Sequence, residues 1–72
     1  MHIHVNGEDQ EIVDGSSVRD LLRKLDLQPD RVAVEINLKI LERSEFDKYV
    51  LQDEDKVEIL SFIGGGSSWF FS

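Results

Sequence analysis

Residues 56–66 read Lys56-Val57-Glu58-Ile59-Leu60-Ser61-Phe62-Ile63-Gly64-Gly65-Gly66. In an extended chain Val57, Ile59 and Ile63 fall on one face and Leu60 and Phe62 on the other, so a strand over Lys56 to Ile63 is apolar on both sides. Such a strand belongs in the centre of a sheet. Three glycines follow without a break. Glycine loses the most entropy on ordering, so Gly64, Gly65 and Gly66 form an extended arm that leaves the domain from the sheet centre.

Just before this strand, Asp53-Glu54-Asp55 reads as a solvated polar turn. It lacks the alternating oxygen ligands over about twelve positions that a calcium loop needs. Further back, Arg31 to Ile36 alternates, with Val32, Val34 and Ile36 inward and Arg31, Ala33 and Glu35 outward, which predicts a half-buried strand. Asn37 turns the chain, Lys39 to Leu41 can pair briefly, and Ser44 to Tyr49 suits a single helical turn whose Phe46 and Tyr49 plug the core. At the other end, Met1 to Val5 places Ile3 and Val5 on one face. Asn6-Gly7 then signals a tight hairpin into a second strand at about Gln10 to Val13. After Asp14-Gly15, Ser17 and Asp20 have capping-box spacing. Val18, Leu21, Leu22 and Leu25 recur at helical spacing, with Arg19, Asp20, Arg23 and Lys24 on the opposite face. The helix starts near Val18, is stopped by Pro29, and carries Arg23 and Lys24 near its negative dipole end.

The order is strand, strand, helix, strand, short strand, turn, strand. With the helix crossing one face, the first and last strands can pair in parallel in the middle of the sheet. That is an α+β fold of the β-grasp, or ubiquitin-like, kind: a mixed four- to five-stranded sheet with one main helix packed on one face. The predicted division is a domain over 1–63, a glycine tail over 64–66 and an aromatic extension over 67–72.

Seventy-two residues make one small domain and leave no room for a second catalytic one. At this size roughly 60% of the unfolded surface is buried, so the core is small. Fifteen acidic against eight basic side chains give a net charge of -7, which repels phosphate backbones and anionic membranes and suits a basic protein surface. The expected partners are therefore proteins, with no nucleic acid and no membrane. No apolar run nears the roughly 18 residues of a spanning helix, and Met1-His2-Ile3-His4 lacks the build of a signal peptide, so the expected location is cytoplasmic. Zero cysteines remove disulfides, thiolate zinc clusters and a cysteine nucleophile.

Catalytic or metal-binding constellations are thin. His2 and His4 share a strand face, yet no third histidine exists, and a pair of exposed, edge-facing imidazoles is the simpler reading. Glu35, Glu42, Glu45 and Asp47 form no evident acid and base pair, and Ser16, Ser17 and Ser44 have no evident partners. A domain this small has little room for a pocket of the usual roughly 300 Å³ or more. No catalytic residue, no metal site and no bound cofactor are expected, and the chain does not read as a stand-alone enzyme. The glycine arm differs, because a chain end without side chains can thread a narrow channel and place a terminal carboxylate inside another protein's active site. Adenylation by ATP would turn that carboxylate into a mixed anhydride open to a sulfur or nitrogen nucleophile. Leu60 and Phe62 are the partner-contact candidates, since the helix covers only one sheet face and these residues stand on the other beside the arm. Burial of both by sheet curvature is the alternative. Acidic residues around that face would steer it toward a basic enzyme entrance.

The chain resembles the sulfur-carrier proteins of thiamine biosynthesis, the ThiS group of ubiquitin-like proteins. The resemblance is carried by Ile3-His4-Val5-Asn6-Gly7, Ser17-Val18 with Leu21-Leu22, and Val32-Ala33-Val34-Glu35-Ile36-Asn37. Ile40 to Arg43 is similar to that family's Ile-Val-Pro-Arg segment, with Leu41 and Glu42 replacing Val and Pro. Asp53 to Ile59 is similar to its Asp-Gly-Asp-x-Val-Glu-Ile run with Glu54 in place of glycine, and Phe62-Ile63-Gly64-Gly65-Gly66 closes the match. The resemblance implies that an E1-like adenylyltransferase of the ThiF type activates the C-terminal glycine with ATP. A sulfurtransferase or cysteine desulfurase relay then makes a thiocarboxylate, and a thiazole synthase of the ThiG type takes its sulfur. Gly66 would carry the adenylate and then the sulfur, with Gly64 and Gly65 as the threading arm. The carrier is a co-substrate of these enzymes.

Ser67 departs from that pattern, because it locks the Gly66 carbonyl in an amide that cannot be adenylated. Residues 67–72 are thus a processed native extension, an artificial appendage, or a segment with its own use. One such use is self-docking, with Trp69, Phe70 and Phe71 folding back over Leu60 and Phe62 to cap the partner-binding sheet face. Rival readings are a carrier for molybdopterin or for cysteine or homocysteine synthesis, and a ubiquitin-like binding module with an inert tail.

Overall fold

The structure, a computed structural model, describes residues 1–62 and 69–71, with the backbone alone described for Phe62 and for 69–71. The elements are β1 (His2–Val5), β2 (Glu8–Glu11), α1 (Val18–Lys24), β3 (Val32–Ile36), β4 (Lys39–Leu41), β5 (Lys56–Phe62) and β6 (Trp69–Phe71). The main sheet runs β2-β1-β5-β3-β4, with β6 also paired to β5.

β1 and β5 pair in parallel, His4 opposite Lys56 and Val5 opposite Val57, while β3 runs antiparallel along the other side of β5. The doubly apolar strand is therefore central, as its composition requires, and the fold is the expected β-grasp with one helix. The hairpin between β1 and β2 is tighter than predicted. Asn6 and Gly7 both take positive φ, and this two-residue turn brings Val5 directly opposite Glu8. No slack remains, so β2 starts at Glu8 and ends at Glu11, and Val13, predicted inside the strand, is 78% exposed.

The capping box at the start of α1 is complete. Ser17 Oγ accepts from the Asp20 N–H at 3.1 Å, and Asp20 Oδ2 accepts from the Ser17 N–H at 2.9 Å. The helix ends before Pro29 acts, because Leu25 caps it and Asp26 turns the chain at φ 60. Pro29 instead opens a short 3-10 turn, Pro29–Arg31. Val18, Leu21 and Leu22 bury the apolar stripe of α1 against Ile3, Val5, Val34, Ile36, Val57 and Ile59 of the sheet. A 3-10 turn at Arg43–Glu45 delivers Phe46 into this core, with Tyr49 partly buried beside it.

Candidate functional site

The site begins at the end of β5. Val57 and Ile59 are buried beneath α1, which anchors the strand, while Glu58 and Leu60 alternate onto the open sheet face. Leu60 is half-buried opposite Ala33, and with Ile40, which is 75% exposed, it lines a groove of about 210 Å³ edged by Glu35 and Glu58. Glu35 and Glu58 are direct cross-strand neighbours, and neither has an ion-pair partner among the described residues. Like charges in that position oppose folding, so the pair costs the isolated domain some stability. The side chain of Phe62 and the residues Gly64, Gly65 and Gly66 lie outside the described part of the chain.

Self-docking was one of the uses open to the extension. The described backbone of 69–71 returns to the sheet as β6, antiparallel to β5, with Phe71 opposite Leu60, Phe70 opposite Ser61 and Trp69 opposite Phe62. The physical reason is an open edge. β3 fills one side of β5 as far as Ser61, whereas β1 leaves the other side after Val5. Asn6 ends that shorter ladder with its side chain: Oδ1 accepts from the Ile59 N–H at 2.7 Å, and Nδ2 donates to the Ile59 carbonyl at 3.2 Å.

At the opposite end of β5 the acidic turn is not merely solvated. Asp55 is 5% exposed, its Oδ1 accepting from Asn37 Nδ2 at 3.0 Å and its Oδ2 from the Tyr49 hydroxyl and the Gln52 N–H, each at 2.9 Å. Burial, then the bond to Asp55, pushes the Tyr49 phenol above its ordinary pKa. The Asp55 carbonyl also accepts from the His4 N–H at 2.9 Å, tying this turn to β1. Sequence reasoning missed Asp55; its one local signal was a three-residue acid run in which nothing marked the buried member.

His2 and His4 do not face an edge, because β1 lies between β2 and β5. With Ile3 and Val5 buried, the imidazoles rise from the open face. His4 Nε2 bonds Glu54 at 2.8 Å and its Nδ1 bonds Asp9 at 2.7 Å, and these bonds, Glu54's first, raise its pKa above 6.5. Two carboxylates at opposite ring nitrogens make a clamp between β2 and the acidic turn rather than a common coordination point. Among the described residues no group of three His, Asp or Glu could hold a metal ion.

The remaining candidate carboxylates and hydroxyls have structural partners, or none among the described residues. Asp47 pairs with Arg19 at 3.4 Å, the Ser16 hydroxyl donates to the Val13 carbonyl at 2.6 Å, and Ser17 caps α1. Open depressions of about 510, 390 and 330 Å³ exceed the expected size, the first of them lined by Glu11, Ile12, Val13, Ser16, Asp20 and Lys24. That first one is a trough outside α1 whose polar groups are engaged: Asp20 in the capping box and Lys24 Nζ on the Glu11 carbonyl. Among the described residues no helix is long and apolar enough to cross a membrane.

Known proteins share this arrangement. The ThiS family model matches residues 3–66. A thiazole synthase of Magnetococcus marinus is 41% identical over 66 residues, covering 92% of this chain but 20% of that protein, so the chain spans about a fifth of that relative. The sulfur carrier protein ThiS of Escherichia coli is 30% identical over 66 residues, covering 92% of this chain and 100% of that protein. The crystal structure of a thiamine biosynthesis protein (ThiS) from Geobacter metallireducens superposes with a TM-score of 0.77 at 39% identity, covering 92% of this chain and 100% of that one. With the family model matched from the first strand through the glycine arm and the fold in agreement, the chain belongs to the ThiS family.

Proposed function

We propose that this chain is a sulfur carrier for thiazole formation in thiamine biosynthesis, acting once it ends at Gly66. The observation that carries the reading is the central position of β5, held between parallel β1 and antiparallel β3, because the glycine run follows in sequence directly from the end of that strand. Water first hydrolyses the Gly66–Ser67 amide, leaving a carboxylate on Gly66 and a free amine on Ser67. A carboxylate oxygen then attacks the α-phosphorus of ATP on an E1-like enzyme, expelling pyrophosphate. A persulfide sulfur from a cysteine desulfurase or sulfurtransferase replaces AMP, and reductive release of that sulfur by a thiol leaves the thiocarboxylate that a thiazole synthase consumes. The groove of Ala33, Ile40 and Leu60, with the unpaired Glu35 and Glu58 beside it, suits an enzyme surface that offers an apolar contact and a cation.

The test compares the full chain with one ending at Gly66 in ATP–pyrophosphate exchange on the adenylating enzyme of the same cell, followed by addition of cysteine, a cysteine desulfurase and a thiol reductant and then by intact mass. The shortened chain is expected to support exchange and then gain the oxygen-to-sulfur increment of about 16 Da, while the full chain does neither. Exchange that is absent with the shortened chain would overturn the carrier reading and favour a binding module.

A further inference from the structure

We propose that the edge of β5 at Ser61 is a strand-addition surface for the thiazole synthase partner, and that residues 69–71 occupy it in the uncut chain. The inference rests on the carrier reading above. Val57 and Ile59 present backbone groups toward the β1 side of β5, the former accepting from the Asn6 N–H at 2.8 Å and the latter held by the Asn6 amide. By the two-residue period of a strand, Ser61 presents its N–H and carbonyl next along that edge. β1 and Asn6 do not reach it. Ser61 and Phe70 stand directly opposite each other, in the phase where antiparallel residues exchange both backbone bonds.

The edge adjoins the reacting end. The glycine arm continues from β5, so an enzyme that receives the arm must close around the C-terminal end of that strand, and Ser61 is the backbone it meets there. An extended enzyme segment gains main-chain hydrogen bonds at such an edge whatever its side chains, and the neighbouring groove adds selectivity. The Ser61 hydroxyl is buried and has no hydrogen-bond partner among the described residues. A groove of about 330 Å³ opens beside it, lined by Asp26, Leu27, Gln28, Arg31, Val32 and Ser61. The extension therefore does two things: it locks the Gly66 carboxyl as an amide, and it fills the place where the enzyme's strand docks.

Amide exchange at Ser61, followed by NMR, tests this on the full chain, on the chain ending at Gly66, and on the full chain carrying Phe70→Pro, which removes the N–H facing Ser61. Ser61 is expected to exchange about tenfold faster in both altered chains than in the full chain, while Ile59, held by Asn6, is unchanged. Saturating the shortened chain with the thiazole synthase of the same cell is expected to restore the protection. Equal exchange in all three chains overturns the proposal, as does a Ser61 that stays unprotected in the complex or an enzyme that does not bind. Failure of the carrier reading itself shows separately, as missing pyrophosphate exchange on the adenylating enzyme.

Discussion

Replacing Asp55 by alanine tests whether the acidic turn that starts β5 is structural. The carboxylate is 5% exposed and accepts hydrogen bonds from Asn37, Tyr49 and Gln52. A hydrogen bond to a charged group nets about 1.5–3 kcal/mol. Asn37 and Gln52 are exposed and Tyr49 is half-buried, so all these donors recover water in the variant and the lower figure applies, without full additivity. The expected loss is about 3 kcal/mol. A 72-residue domain at about 0.05–0.15 kcal/mol per residue holds about 4–11 kcal/mol, so the variant forfeits a large share. At about 4–8 °C per kcal/mol, Tm falls by about 12–24 °C, read by far-UV circular dichroism. Asp55→Asn keeps an acceptor for Tyr49 and Gln52 but turns an amide toward the Asn37 donor, and should lose about half as much. A double-mutant cycle with Tyr49→Phe should show coupling of about 1 kcal/mol. A fall in Tm below about 4 °C for Asp55→Ala would refute the argument that this turn holds the junction of β1 and β5.

His4 yields a pH dependence. Its folded pKa is raised by the bonds to Glu54 and Asp9, so the clamp contributes fully below the unfolded value of about 6.5 and is lost as pH rises through the folded one. Tm should therefore decline over that window in the native chain and not in His4→Gln, and identical profiles would exclude the clamp. Ser17→Ala removes the acceptor of the Asp20 N–H and should cost about 1 kcal/mol in urea unfolding; an unchanged midpoint would count against the cap. Ile40→Asp places a third acid directly opposite Glu35 on the open face, and should weaken binding to the thiazole synthase about tenfold by calorimetry, with a small fall in Tm from the new like-charge pair. Unaltered affinity would place the docking surface elsewhere.

The open face and the strand edge have different physical characters. The face offers apolar contact at Leu60 and Ile40 beside two carboxylates that have no ion-pair partner among the described residues, so any affinity there would depend on the partner's surface chemistry and on salt. The edge at Ser61, paired with β6 in the full chain, would offer backbone groups to any extended segment of suitable register once β6 is removed. Because both adjoin the end of β5, one enzyme could engage them together under the proposed function.

Sequence alone determined the order of the first five strands and the helix and the centre of the sheet, because both follow from local periodicity, though not every boundary and not β6. Val57, Ile59, Leu60 and Phe62 mark a strand with apolar residues on both faces, Val18, Leu21 and Leu22 mark one helical stripe, and Asn6-Gly7 admits only a tight turn. The match to the ThiS family was legible too, because its motifs recur in order from Ile3 to Gly66. Tertiary structure alone decided the rest, wherever a role depends on which distant groups arrive. Asp55 is one of three adjacent acids until Asn37 and Tyr49 converge on it, and His4 is one of two alternate histidines until Asp9 and Glu54 close on its ring. The destination of the extension was equally hidden. Its composition shows apolar surface that needs cover, but the open edge exists only because β1 stops at Val5 while β5 runs on to Phe62, a mismatch of strand lengths that appears once the two are paired.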